Sequence, residues 1–200
     1  MSLDHILLGM LQTPAAGYDL GREFDESARM FWSAELSQIY QTLKRLERKD
    51  YLTSEEVPSD RGPNRKVYHR TDEGRRALEE WLREPPELGS QRLPYVAQFF
   101  YLGQLDDPEA SRAFVERLRE ELIERLGVYA EIDRAIREEC DDPFGASHES
   151  LHRYATLRAG IHVAEARVAW CDETLAALRA RADASNEVAA AGVTSDTGAG

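Results

Sequence analysis

Cysteine is scarce in this sequence. Cys140 and Cys171 are the only two, and neither stands in a CxxC or zinc-ligand spacing. Two cysteines cannot define a disulfide framework, so both are read as reduced thiols. No apolar run approaches the ~20 residues that a spanning helix needs, which excludes a transmembrane segment. The opening stretch, MSLDHILLGMLQ, has no basic residues ahead of its apolar run and carries Asp4 where a secretory signal needs positive charge. A cytoplasmic protein is therefore expected, with no membrane partner. There is no Ser-His-Asp order, no glycine-rich phosphate loop and no paired-cysteine site, so the chain reads as a non-enzyme without a cofactor. Lysine is rare as well: Lys44, Lys49 and Lys66 are the only three among 25 basic residues.

Hydrophobic residues make up 42% of the 200 and charged residues 31%, the balance of a globular chain long enough to bury a real core. The formal charge of −12 argues against nucleic acid as a partner, but it is unevenly spread. Residues 37–70 hold eight basic against five acidic residues, whereas residues 87–200 hold twelve against twenty-one. All three lysines fall in the positive window.

Apolar periodicity divides the chain. Leu3, Ile6, Leu7, Met10 and Leu11 mark one face of a first helix with Ser2 as its cap, which QTPAAG ends. YDLGREFDESARMF is a second, shorter helix. Ser33 is read as the cap of a third, on which Leu36, Ile39, Tyr40, Leu43 and Leu46 project to one side. Its opposite side carries Ser37, Gln38, Gln41, Arg45 and Arg48, with Lys44 and Lys49 on the flanks, and Asp50 ends it. YLTSEEV and RKVYHRT read as the strands of a hairpin whose long tip contains Pro58, Gly62, Pro63 and Asn64. Arg61, Arg65 and Lys66 lie at or beside that tip. Thr71 caps a fourth helix with Asp72 and Glu73 in its first turn, and Ala77, Leu78, Trp81 and Leu82 form its expected buried side. EPPELGS then marks a boundary. A short apolar segment, YVAQFFYLGQL, precedes two long helices. One has a seam through Val115, Leu118, Leu122, Tyr129, Ile132 and Ile136. The other has a heptad seam from Tyr154 through Leu157, Ile161, Ala164, Val168, Cys171, Leu175 and Leu178 to Ala182.

The expected fold is mainly α. A winged helix-turn-helix domain with a small β-hairpin wing occupies residues 1–86. An all-α dimerisation domain with two long helices occupies 87–182, and a disordered tail 183–200. In a winged helix the third helix enters the DNA major groove and the hairpin meets the backbone. Glutamine reads adenine, arginine reads guanine and serine takes either, so the polar face of the third helix suits base recognition. Basic residues on the wing suit phosphate contacts.

HESLH, His148 to His152, matches the H-E-x-x-H spacing of helical zinc sites. Arg158 stands where an extended motif places its third histidine, while Glu165 and Glu173 have ligand-compatible spacing. Tyr154 begins a packing seam directly after it, so the helix is read as structural and no metal is expected. The aromatic residues Trp32, Phe99, Phe100, Tyr101 and Trp170 divide between core or dimer interface and an effector pocket; Trp32, Phe99, Phe100 and Trp170 are the candidate effector residues.

The wording of the first 85 residues is more specific than their element order. SLDHILLGML, GYDLGREF, FWSAELSQIYQTLKRLERKDYLTSEEV and RKVYHRTDEGRRALEEWL resemble the PadR family of bacterial transcriptional regulators. The helical remainder resembles the C-terminal domain of the larger members of that family. The resemblance implies a homodimeric repressor of double-stranded DNA, with C-terminal helices packed between subunits and, in some members, release by a small aromatic effector. By position it carries DNA-binding roles onto Tyr18, Ser37, Gln38, Tyr40, Gln41, Lys44 and Arg45, and wing roles onto Arg61, Arg65 and Lys66. Periodicity adds Arg48, and counts Tyr40 among the buried residues. A winged helix that holds a protein partner is the alternative from a different class.

Overall fold

The computed structural model describes residues 2–58, 64–88 and 92–195, and it divides into two compact units, Met1–Gly89 and Ser90–Gly200. The first unit runs α1 (Ser2–Met10), β1 (Ala15–Ala16), α2 (Gly17–Ser27), a 3-10 turn (Ala28–Met30), α3 (Leu36–Arg48), β2 (Leu52–Val57), β3 (Arg65–Arg70) and α4 (Asp72–Arg83). This is a winged helix. Its core gathers Leu7, Leu8 and Leu11 from the α1 region, Leu20 and Phe24 from α2, and Ile39, Leu43 and Leu46 from α3. Leu52 and Tyr68 close it from the sheet. Burial of these side chains, about 1.5–3 kcal/mol each before entropy, holds the helices together. Helix α1 is more enclosed than its periodicity implies, because Leu8 and Asp4 are also buried.

Helix α3 starts later than Ser33 suggests. Its N-cap is Glu35, whose side chain accepts from the Gln38 amide while the Gln38 side chain accepts from the Glu35 amide at 2.9 Å. That reciprocal capping box satisfies two otherwise orphaned donors. At the far end Asp50 adopts φ 58°, a left-handed conformation that aspartate tolerates, and the chain turns into β2. Strands β2 and β3 pair antiparallel from Leu52 opposite Arg70 to Val57 opposite Arg65. The sheet has a third member: β1 pairs with β3 through Ala15 and Ala16, giving the order β1-β3-β2. Two alanines carry no strand pattern, so the sequence reading has only a helix break there.

Thr71 caps α4 as expected, accepting from the Gly74 amide at 3.0 Å and donating to the Asp50 carbonyl at 2.7 Å. Ala77 and Leu78 pack on the core, and Trp81 stacks on His5 with ring centroids 4.7 Å apart. Leu82 departs from its expected place: it is 65% exposed, because α4 buries only the stripe that faces α1.

The second unit contains α5 (Pro94–Leu102), a 3-10 turn (Gly103–Leu105), α6 (Pro108–Glu139) and α7 (His148–Ser195). Asp107 caps α6, accepting from the Ala110 amide at 3.0 Å, with Pro108 at the first helical position. Helices α6 and α7 form an antiparallel hairpin: Arg119 pairs with Asp172 and Tyr154 bonds Asp133. Of the heptad seam expected from Tyr154 to Ala182, the residues Tyr154, Leu157, Ile161, Ala164, Cys171 and Leu175 are buried, Val168 and Leu178 are half-buried and Ala182 is exposed; Val115, Leu122 and Tyr129 of α6 are also buried in this unit. Helix α7 also continues past residue 182 to Ser195, where the sequence reading expects a disordered tail. The run Ala189–Ala191 favours helix and no proline interrupts the stretch. Among the described residues no helix is long and apolar enough to cross a membrane.

Candidate nucleic-acid interface

The two sides of α3 are chemically distinct. Ile39, Thr42, Leu43 and Leu46 are buried and fix the helix to its unit. Ser37, Gln38, Tyr40, Gln41, Lys44 and Arg48 are exposed. Leu36, expected to anchor the helix, is only partly covered and lies against Gly21 of α2.

Tyr40 belongs to the exposed set, against its periodicity. A Cβ placed on Gly17 would stand 2.7 Å from Tyr40 Cε1, so the ring lies against the start of α2 in space that only glycine leaves open. The neighbouring residue, Tyr18, is exposed as well. Gln38 spends its carbonyl oxygen on the capping box. Arg48 stays at the surface, its Nε donating to the Lys44 carbonyl at 3.3 Å.

Arg45, expected among the base readers, is half-buried and already engaged. Its guanidinium turns to α1, where Nη2 is ion-paired with Asp4 Oδ1 and Nε lies 3.4 Å from Oδ2. Nη2 also donates to Thr42 Oγ1 at 3.2 Å. Lys49 adds a second cation 3.7 Å from Asp4. The physical cause is Asp4 itself: a carboxylate this deeply buried requires paired charge and hydrogen bonds. No residue type or spacing signalled Asp4, which interrupts an otherwise apolar face.

On the wing, Arg65 is exposed at the first position of β3. Lys66 is not an unengaged phosphate contact. Its Nζ lies 2.9 Å from Glu47 Oε2 of α3 and 5.2 Å above the Tyr68 ring. Glu47 holds the Lys66 ammonium above the usual lysine range. The Ser54 hydroxyl donates to the other Glu47 oxygen, and that bond, with Lys66, holds the Glu47 carboxyl below its usual range. Arg61 lies outside the described residues.

The aromatic candidates fall in separate places. Trp32 packs against the core of the first unit. Phe99 and Trp170 meet edge to face at 5.5 Å in the second unit, and Phe99 also stacks on Phe114. Phe100 is 78% exposed and, with Phe99, Leu178, Asp107 and Arg181, lines a cavity of about 510 Å³. In HESLH, Glu149 pairs with Arg153, and the His152 ring nitrogen Nδ1 lies 2.7 Å from the His148 carbonyl. Among the described residues no three histidine, cysteine, aspartate or glutamate side chains gather as metal ligands.

The first unit matches the family model of PadR-like transcriptional regulators over residues 6–80, and the second matches the C-terminal model of the virulence activator alpha family over residues 100–179. A probable transcriptional regulator of Mycobacterium tuberculosis is 32% identical over 90% of this chain and 98% of its own. The negative transcriptional regulator PadR of Bacillus subtilis is 26% identical over 88% of this chain and 97% of its own. Its crystal structure with operator DNA superposes with a TM-score of 0.73 at 23% identity, covering 89% of this chain and 99% of that one. The same protein has also been solved with p-coumaric acid. The virulence activator AphA of Vibrio cholerae gives a TM-score of 0.70 at 29% identity, over 90% of this chain and 99% of its own. With two family models matched in chain order and a relative of this identity spanning nearly the whole length, the chain belongs to the PadR-like family of transcriptional regulators.

Proposed function

We propose that the protein is a homodimeric, sequence-specific repressor that acts in the cytoplasm on a pseudopalindromic operator, is relieved by a small aromatic effector, and catalyses no reaction. One observation carries the reading: Ser37, Tyr40, Gln41, Lys44 and Arg48 are all exposed on a helix whose other side is anchored in the core. In the proposed complex α3 enters the major groove. Gln41 pairs with adenine, Arg48 and Ser37 contact base edges or phosphate, and Lys44 neutralises phosphate. Tyr18 and Tyr40 add hydroxyl donors, and Arg65 on the wing contacts the backbone. The net positive charge of residues 37–70 favours this approach despite the acidic total.

Dimerisation is supported by apolar side chains that α6 and α7 leave uncovered, Val128, Ile132 and Val163 among them. A small aromatic effector fits the cavity beside Phe99 and Phe100, where Arg181 offers a cation to an acidic ligand. Binding of operator DNA and of p-coumaric acid by the Bacillus subtilis relative agrees with both parts of the reading.

Two substitutions test it by fluorescence anisotropy on an operator duplex. Gln41→Ala should cost about 1–3 kcal/mol and relax preference at one base pair. Arg65→Ala should weaken all sequences alike and reduce the salt slope by about one. Unchanged affinity in both variants would refute the helix and wing assignments.

A further inference from the structure

Glu47 is an acid in the last turn of α3, where the helix dipole favours cations and where an approaching duplex would repel it. Nothing local rewards that placement. Among the described residues, the hydrogen bonds of its side chain are all tertiary. One carboxylate oxygen accepts from the Ser54 hydroxyl of β2, and the other lies 2.9 Å from Lys66 Nζ of β3. Both strands of the wing are thus tied to one side chain at the end of the recognition helix. Ser54 stands opposite Tyr68 and Lys66 opposite Glu56 in the ladder, so the two ties grip rungs two positions apart, on one face of the sheet. The Tyr68 ring beneath the Lys66 ammonium adds a third contact to the same group.

We propose that Glu47 is a positioning residue for DNA recognition: it locks both wing strands to α3, so that wing and helix meet the duplex at one fixed spacing, and it holds the Lys66 charge back from phosphate. The proposal rests on the DNA-reading role assigned to α3 above. Two consequences follow. Releasing the clamp lets the wing move relative to the helix, which weakens binding where both must fit at once. It also frees a cation that any duplex can use, which strengthens binding where nothing must fit.

The test compares wild type, Glu47→Gln and Ser54→Ala on an operator duplex and on a random-sequence duplex across a salt series. Glu47→Gln should lower operator affinity and raise random-duplex affinity, so that their ratio falls about tenfold. Its salt slope on the random duplex should steepen by about one as Lys66 becomes available. Ser54→Ala keeps the ion pair, so its ratio should fall with the salt slope unchanged. An unchanged ratio in both variants, or equal losses on both duplexes, would overturn the clamp. If Glu47→Gln does not fold, Ser54→Ala decides alone by the same ratio. Wild-type protein that binds neither duplex in a salt-dependent way would instead bring down the DNA-reading role of α3.

Discussion

Asp4 is 7% exposed, and its charge is balanced by Arg45 and Lys49 of α3 and its cap. Arg45→Ala should therefore act on folding. With Lys49 remaining and Arg45 itself partly solvated, the loss should be about 1–2 kcal/mol, less than for a fully buried pair. Urea midpoints would show it, and the base preference of whatever operator binding survives should be unaltered. Gly74 gives a second prediction of unusual sign. It sits inside α4, where alanine ordinarily stabilises by about 1 kcal/mol. A Cβ there would overlap the Tyr51 carbonyl oxygen, which is already bonded to the Thr71 amide at 3.1 Å. Gly74→Ala should destabilise by about 2 kcal/mol or more in thermal unfolding. Side-chain roles such as these were the least legible part of the sequence. Helical periodicity separates Ile39 and Leu43 from Ser37 and Gln41 correctly, since a 100° step assigns faces. It cannot show that a long arginine turns back to a buried acid, nor that glycine at position 17 makes room for the Tyr40 ring.

Helix α7 exposes the logic of whole elements. Its heptad seam was plain in the sequence, and so was a need for a partner; which partner was not, because periodicity reports that a face is apolar without naming what covers it. Helix α6 takes the seam within the same chain. The α6–α7 hairpin also holds a polar contact at its turn end. The Tyr154 hydroxyl donates to Asp133 at 2.8 Å, and Arg137 and Arg158 flank the same carboxylate. Chiefly through the Tyr154 bond, the Asp133 carboxyl is held below the usual range. A lowered folded pKa means that its stabilisation is complete above the ordinary aspartate pKa of about 4 and is lost as pH falls through the lower folded value. Tyr154→Phe should cost about 1 kcal/mol at pH 7, and the gap from wild type should close as the pH drops below about 4. Parallel urea titrations at neutral and acid pH would read this directly. Smaller elements were harder to foresee. Strand β1 is two alanines long and exists only because β3 offers it an edge, and the cap of α3 lies at Glu35 because Gln38 completes a reciprocal pair with it.

Across the whole molecule, charge and chemistry are partitioned. The first unit carries the positive window and the exposed face of α3; the second carries most of the acid and two long paired helices. That partition reconciles a formal charge of −12 with a nucleic-acid partner. The order of elements, and the wording of α1 to α4, made this winged helix readable from the sequence alone. A homodimer that reads an operator is what the proposed function adds to the family. Selection of bound duplexes from a random pool tests it most directly. The predicted result is a pseudopalindrome whose half-sites lie about one helical turn, ~10 base pairs, apart, bound with steep salt dependence. Recovery of no enriched sequence, with binding insensitive to salt, would contradict it and would mark the winged helix as a platform for a protein partner instead.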